Sequence, residues 1–368
     1  MRRLHPAILI GLALFPVYTF ACNPREQTGQ DHTVVTIQGE QFYIDGRPAY
    51  EGRIWEGHAI EGLLLNARLV QGIFDDLNPE TSELWKYPDT GEWDPDRNTR
   101  EFLAAMPDWK RHGMLSFTLN IQGGSPVGYG NQNWSNPGYF PDGSLRSDYM
   151  ARLEQILDRA DGLGMVVILG MFYFGQDQAL EDEVAVTTAV VNVINWLHER
   201  RYRNVIIEIN NECDVRYDHA ILTPPRVHEL IELVKSLEQD GHRFLVSTSF
   251  GGGSIPTDNV VAAGDFVLMH GNGVDDPARI SEMVRLVREL SSYTPKPILF
   301  NEDDHYDFEL PHNNLVAAVE SHASWGFFDY RRTGEPFADG YQSVPVDWSI
   351  DSPRKTAFFD KVKEITGY

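Results

Sequence analysis

The 368-residue chain holds only two cysteines, Cys22 and Cys213. A fold stapled by several disulfides is excluded, and if Cys22 carries another group no intramolecular bridge is left to form. Positive charge is also short: 31 Lys and Arg face 54 Asp and Glu, a net charge of −23. A surface so acidic repels nucleic acid and anionic lipid, so no nucleic-acid partner is expected. Beyond residue 21 no apolar run is long enough to span a bilayer. There is no dinucleotide fingerprint, no His-Glu-x-x-His and no Gly-x-Ser-x-Gly elbow. Gly251-Gly-Gly-Ser lacks the spacing of a phosphate loop and reads as a turn after a strand. No cofactor is implied.

What remains is a chain with 42% hydrophobic residues, enough for one sizeable core. Arg2 and Arg3 precede an apolar stretch from Ala7 to Phe20, so residues 1–21 read as an export signal. Cys22 stands at the cleavage point, which makes it a lipidation candidate and the membrane a partner through a lipid anchor only. The destination is then the bacterial cell envelope; plain cleavage would leave the protein periplasmic or extracellular. Residues 22–33 read as a polar tether and 34–368 as the folded domain.

That domain opens with a β-hairpin, Val34 to Pro48, turning at Gly39 and at Asp45-Gly46. Strand, loop and helix then alternate. Strands are expected at Leu69–Phe74, Leu115–Ile121, Met165–Tyr173, Val205–Asn210, Phe244–Thr248, Phe266–His270, Ile298–Phe300 and Gly326–Asp329. Helices include Ser147 to Leu163, with Ser147 as N-cap, and Ser352 to Thr366. Near-continuous apolar strands between amphipathic helices predict a parallel sheet covered on both faces, and eight units favour closure into an α/β (β/α)8 TIM barrel. Two long loops, 77–97 and 123–146, are rich in aromatic residues. On the C-terminal face of a barrel such rings either stack on sugar or pin the loops; both loops are expected to rim the pocket.

Val205-Ile-Ile-Glu-Ile-Asn-Asn-Glu212 and Lys296-Pro-Ile-Leu-Phe-Asn-Glu302 are apolar strands that each end in a carboxylate. Their spacing puts Glu212 at the end of the fourth strand and Glu302 at the end of the seventh, both on the face where such barrels keep their chemistry. Paired carboxyls across a pocket suit glycosidic bond cleavage. Glu208, four residues before Glu212, points to the same side and is expected deeper, as a strut. Glu302-Asp-Asp-His-Tyr-Asp307 offers a rival, metal-binding reading, although so many ligands in so few residues cannot all converge.

Ile207-Glu-Ile-Asn-Asn-Glu212 resembles the fourth-strand signature of clan A glycoside hydrolases, in particular the cellulase-like family 5. The run ending in Glu302 is similar to that clan's seventh strand, and Asp45-Gly-Arg-Pro48 to its usual entry. The resemblance spans Val34 to Gly367. It implies a retaining enzyme acting on a carbohydrate substrate, with Glu212 as acid/base, Glu302 as nucleophile and Asn211 on the sugar's 2-hydroxyl. It further implies that His270 orients the nucleophile. Asn272 stands where a Tyr is more usual, leaving open how Glu302 is held. Gln122, Tyr173, Trp325 and Tyr330 join Asn272 as candidates for holding the sugar, Tyr330 standing in for a late platform Trp. Cys213 and Asp303-Asp304 also depart from the clan's pattern, so the branch is divergent and its sugar cannot be borrowed. The alternative is a glycan-binding surface lipoprotein that keeps the barrel without turnover.

Overall fold

The computed structural model describes residues 32–129 and 134–368. The expected export signal, Cys22 and most of the tether lie outside the described residues. The compact unit begins at His32. His32 and Thr33, expected in the tether, are already fastened to it: Thr33 N donates to Asp161 Oδ1 at 2.7 Å, and His32 Nδ1 lies 2.7 Å from Asp161 Oδ2.

The first strands form the entry. β1 (Val35–Gln38) and β2 (Gln41–Ile44) pair antiparallel, and β3 (Arg47–Pro48) adds a third strand to β2. Gly39 and Gly46 turn the chain with φ of 59° and 76°, a region that costs a side chain about 1–2 kcal/mol. Phe42 is fully buried and packs edge-on against Phe266, ahead of a barrel strand, so this small sheet plugs the N-terminal end. β4 (Ile54–Trp55) and β5 (His58–Ala59) make a short ribbon.

Eight parallel strands follow: β6 (Asn66–Arg68), β7 (Ser116–Asn120), β8 (Val166–Tyr173), β9 (Val205–Asn211), β10 (Leu245–Ser247), β11 (Val267–His270), β12 (Ile298–Glu302) and β13 (Gly326–Phe327). Ladders run β10-β9-β8-β7-β6-β13, and β11 pairs with β12. Phe300 N to Ser324 O and Phe328 N to Asp303 O, both 2.9 Å, join β12 to the β13 segment; Asp265 N to Val246 O, 2.9 Å, ties β10 to the start of β11. The ring is closed, and the expected (β/α)8 barrel is the fold. Around it lie α1 (Pro95–Arg111), α2 (Ser147–Leu163), α3 (Glu183–Glu199), α4 (His228–Ser236), α5 (Asp258–Ala263), α6 (Pro277–Glu289), α7 (Asn314–Glu320) and α8 (Pro353–Thr366).

Helix starts follow capping chemistry. Asp94, Asp182, Asp276, Asn313 and Ser352 each accept a backbone N–H of the following turn. Ser147 is not the cap of α2; Arg146 holds that place without a side-chain bond.

One strand differs from expectation. The first barrel strand is Asn66–Arg68, and the apolar run Leu69–Phe74 lies in the loop leaving it. The reason lies inside the barrel, which is polar: Asn66, Arg68, Ser116, Thr118, Asn120, Glu208 and Asn301 are all fully buried. Apolarity therefore marks the outward faces and the loops rather than every strand. Gly326 has to be glycine here, since a Cβ would stand 2.3 Å from Asn66 Oδ1 and 2.8 Å from Asn301 Cα.

Candidate active site

Glu212 and Glu302 end β9 and β12 as neighbours across the C-terminal mouth. A carboxylate oxygen of each and a ring nitrogen of His270 lie within 4.8 Å of one another. His270 Nδ1 stands 3.0 Å from Glu212 Oε1 and 3.5 Å from Glu302 Oε2, and the ring is fully buried. A register shift between Met269 and His270 pairs His270 with Glu302, so the bulge aims the ring between the carboxyls. Glu212 adopts a left-handed backbone, φ 53°, held by a bond from its N–H to Ser249 Oγ at 2.9 Å. A strained residue fixed in this way is common at functional sites. Ser249 in turn donates to Glu208 Oε1 at 2.6 Å, and Asn301 Nδ2 donates to Glu208 Oε2 at 3.1 Å. Glu208 is thus the strut expected beneath Glu212, tied to Ser249 and Asn301.

The residue that sequence reading missed is Arg68. Its guanidinium is fully buried with Nε 2.8 Å from Glu302 Oε2. The contact is short but poorly directed for a hydrogen bond, and neither Nη makes one; it acts as a charge contact. Tyr173 lies beside it, ring centroid 5.8 Å from the guanidinium carbon. Period-two alternation in Asn66-Ala-Arg68 was the available signal, masked by the apolar run behind it.

Asn272 answers how Glu302 is held: its Nδ2 donates to Glu302 Oε1 at 2.6 Å. Asn211 is buried with both side-chain amide atoms unpartnered, an unspent donor and acceptor beside Glu212. Tyr173 pairs in register with Asn211, and its hydroxyl meets Ser125 Oγ at 3.0 Å.

Other candidates are placed elsewhere. Gln122 spends its amide on the scaffold, donating to Gln176 O and accepting from Tyr173 N, both at 3.3 Å. Trp325 is fully buried, packed against Phe308 and Phe358, its indole donating to Asp303 Oδ2 at 2.9 Å. Alternation decides this: Gly326 faces the interior, so Trp325 faces the helices. Tyr330 is half-buried and packs edge-on against Tyr129 and at a tilt against Phe328.

The aromatic loops divide. Trp85, Tyr87, Trp134 and Tyr139 are buried and pack on neighbouring rings, so they pin their loops. Loop 77–97 makes contacts with Phe74, Asp75, Asp76, Ser135 and Phe337, none of them in the carboxylate cluster. Loop 123–146, outside residues 130–133, does reach the site: half-exposed Tyr129 donates to Asp304 Oδ2 at 2.7 Å, and a Cβ on Gly124 would stand 2.0 Å from the Tyr173 ring.

Of the stretch read as a rival metal site, Asp303, Asp304 and His305 do bring ligand atoms within 4.8 Å of one another, and protein groups engage each of them. Asp303 turns away from Glu302 to take bonds from His305, Asn314 and Trp325. Asp304 accepts from Tyr129 and Gly273 N, and His305 Nε2 is 3.2 Å from Asp275 Oδ1. The Glu212–His270–Glu302 group already contains a cation contact from Arg68, which opposes a divalent ion. Cys213 is buried, and burial pushes its thiol up, which makes it a poor nucleophile.

Proton affinities in the cluster diverge. Burial raises Glu302 and prevails over Arg68 and His270, which pull it down. Burial also acts upward on Glu212, but the His270 hydrogen bond and the charges of His270 and Arg68 carry it below the usual range. For His270, burial disfavours the cation, and the surrounding carboxylates outweigh it, so the ring is raised.

No family model and no curated sequence matches the chain. Solved structures do. A putative glycoside hydrolase from Bacteroides vulgatus aligns at 14% identity and a TM-score of 0.52, covering 86% of this chain and 59% of that one. A family 5 glycoside hydrolase from the same organism aligns at 12% and 0.53, covering 87% and 68%. The fold is that of glycoside hydrolase family 5. A family 5 mannosidase from Rhizomucor miehei aligns at 13% and 0.54 over 90% of this chain and 97% of that one. At these identities the family 5 likeness establishes architecture alone, and the site must be argued from this chain's own residues.

Proposed function

We propose that the protein is a retaining glycoside hydrolase, Glu302 attacking the anomeric carbon and Glu212 serving as acid and then base. The observation that carries this reading is the pair of strand-end carboxyls with oxygens within 4.8 Å, one touching a permanent cation and the other a titratable ring. A retaining pair stands about 5–5.5 Å apart, whereas an inverting pair needs about 6.5–9.5 Å for the attacking water.

Burial and the neighbouring charges favour a proton on Glu302 over one on Glu212, the opposite of what the first step needs. The three-way contact supplies the remedy. Once Glu302 has lost its proton, transfer of one from His270 to Glu212 across 3.0 Å leaves a neutral ring, a protonated acid and an anionic Glu302 facing Arg68. Activity should therefore rise with pH only above the usual carboxylate range. Asn211 has its amide free for a sugar hydroxyl, and Asn272 fixes the nucleophile's second oxygen.

Charge placement narrows the substrate. The segments leaving the C-terminal strand ends (69–94, 121–146, 174–182, 212–227, 248–257, 271–276, 303–313 and 328–352) carry 25 Asp and Glu against 6 Lys and Arg; the rest of the chain carries 29 against 25. Polyanionic glycans are repelled from such a mouth, leaving neutral or cationic ones.

Reducing-end release across a polysaccharide panel separates an enzyme from a glycan-binding barrel without turnover. On an aryl β-glycoside, Glu302→Ala should abolish turnover, and Glu212→Ala should be partly rescued by azide with a β-azide product, because azide needs no general base. Inverted anomeric configuration in the first-formed product, read by NMR, would overturn the role given to Glu302. Export and lipidation at Cys22 form part of the same proposal: Cys22→Ser should move protein from the membrane to the soluble fraction, and a wild type already soluble counts against it.

A further inference from the structure

At the other end of the barrel, where α3 ends and β9 begins, lies a second built cavity of about 270 Å³. Arg201, Arg203, His32, His198 and His242 line it, with exposed Asp240 as its one carboxylate. In a chain this acidic most arginines are neutralised: nearby Arg200 meets Glu154, and Arg243 makes a two-pronged pair with Asp265. Among the described residues, Arg201 and Arg203 meet no carboxylate within ion-pair distance, and their side chains make no hydrogen bond.

The backbone holds these arginines in place. Arg203 O accepts from Val35 N at 2.9 Å, which locks it to the plugging sheet. Arg201 occupies a left-handed position past the end of α3, φ 61°, where glycine is the usual occupant. Of the ring nitrogens, His198 Nε2 is taken by Leu237 O at 2.8 Å. His242 Nε2 is buried without a partner. Burial together with the Arg203 and Arg243 charges depresses His242 to about 4, so this ring stands neutral with an unused nitrogen in a positive field.

We propose that this cavity is an anion site for a phosphate group, with Arg201 and Arg203 giving charge and N–H forks and His242 one further hydrogen bond. Two guanidinium groups with no hydrogen-bond partner, Arg201 exposed and Arg203 half-buried, line the same cavity as the His242 ring, a donor set that suits the oxygens of a tetrahedral phosphate. The group belongs either to a soluble phosphate or to a lipid headgroup. The second source is sterically open, because His32 follows Cys22 by ten residues, a span of at most about 35 Å, and the acidic loops lie at the opposite end.

The test uses the full chain with Cys22→Ser, so that an acyl chain plays no part. Calorimetric titration with inorganic phosphate at fixed ionic strength should show saturable binding. Arg201→Gln/Arg203→Gln should weaken it at least about tenfold with the melting temperature and glycoside turnover unchanged. Co-sedimentation with phosphatidylglycerol vesicles, against phosphatidylcholine vesicles, distinguishes the source. Vesicle binding displaced by phosphate assigns a headgroup; phosphate binding without vesicle binding assigns a soluble ligand. No binding in either arm, or binding indifferent to both arginines, overturns the proposal and leaves the glycosidase reading untouched.

Discussion

Replacing Arg68 by Met tests the proposed chemistry at the residue the structure added to it. The guanidinium is fully buried and 2.8 Å from Glu302 Oε2; at an effective dielectric of 20 that contact is a gross attraction of about 6 kcal/mol. Burying both charges consumes much of it, but removing one partner strands the other, at about 3–5 kcal/mol. Methionine keeps the volume and gives no charge. Glu302, already raised by burial, should climb further, so the acid limb of the pH–rate profile moves to higher pH. If the full cost falls on the step that needs an anionic Glu302, kcat/KM on an aryl glycoside at pH 7 drops by about 200- to 5,000-fold. Arg68→Lys, keeping charge without the fork, should lose less. A folded Arg68→Met variant within threefold of wild type, its acid limb unmoved, would refute the pairing as the source of nucleophile ionisation.

Asn272→Ala removes a charge-assisted hydrogen bond to Glu302, so kcat should fall about ten- to hundredfold, and Asn272→Asp, which sets like charge there, should fall further; equal kcat in both variants would deny Asn272 this role. His305 is carried up to about 9 chiefly by its hydrogen bond to Asp303. Its stabilisation is therefore complete below about pH 6.5, the unfolded value, and is lost as pH rises through 9; thermal melts of His305→Asn should lie below wild type at pH 6 and converge with it above pH 9. Gly326→Ala drives a methyl into Asn66 and the Asn301 backbone and should cost about 1–3 kcal/mol in urea melts; an unchanged midpoint would mean that the barrel interior yields.

Much of this molecule is written locally. The alternation of apolar strands and amphipathic helices predicts the barrel, because strands buried under helices are rich in apolar residues, near-continuously so in β8 (Val166–Tyr173). Glu212 and Glu302 are legible because a carboxylate ending such a run has no packing reason to be there. The limits of α2, Ser147–Leu163, are as expected, although its start does not rest on the Ser147 cap that the sequence suggested; Gly164 in the left-handed region ends it.

The interior is not written in the same way. β6 is short and polar inward, so its sequence, Asn66-Ala-Arg68, looks like a prelude to Leu69–Phe74 rather than a strand. Placing Arg68 against Glu302 takes closure of the ring, which brings the first strand within reach of the seventh across 234 residues of sequence (302 − 68). Trp325 and Trp85 look alike in sequence to platform rings; only the direction of each Cβ decides that they are core. His270 shows the same limit. Its place at a strand end is sequence, but the bulge that sets it between two carboxyls, and the proton affinities that follow, come from desolvation and neighbours supplied by β9, β12 and β6. Local pattern determines which segments are strands and helices, because propensity and periodicity act over a few residues. Charge pairing and burial belong to the assembled barrel, because they depend on distances that only the closed chain defines.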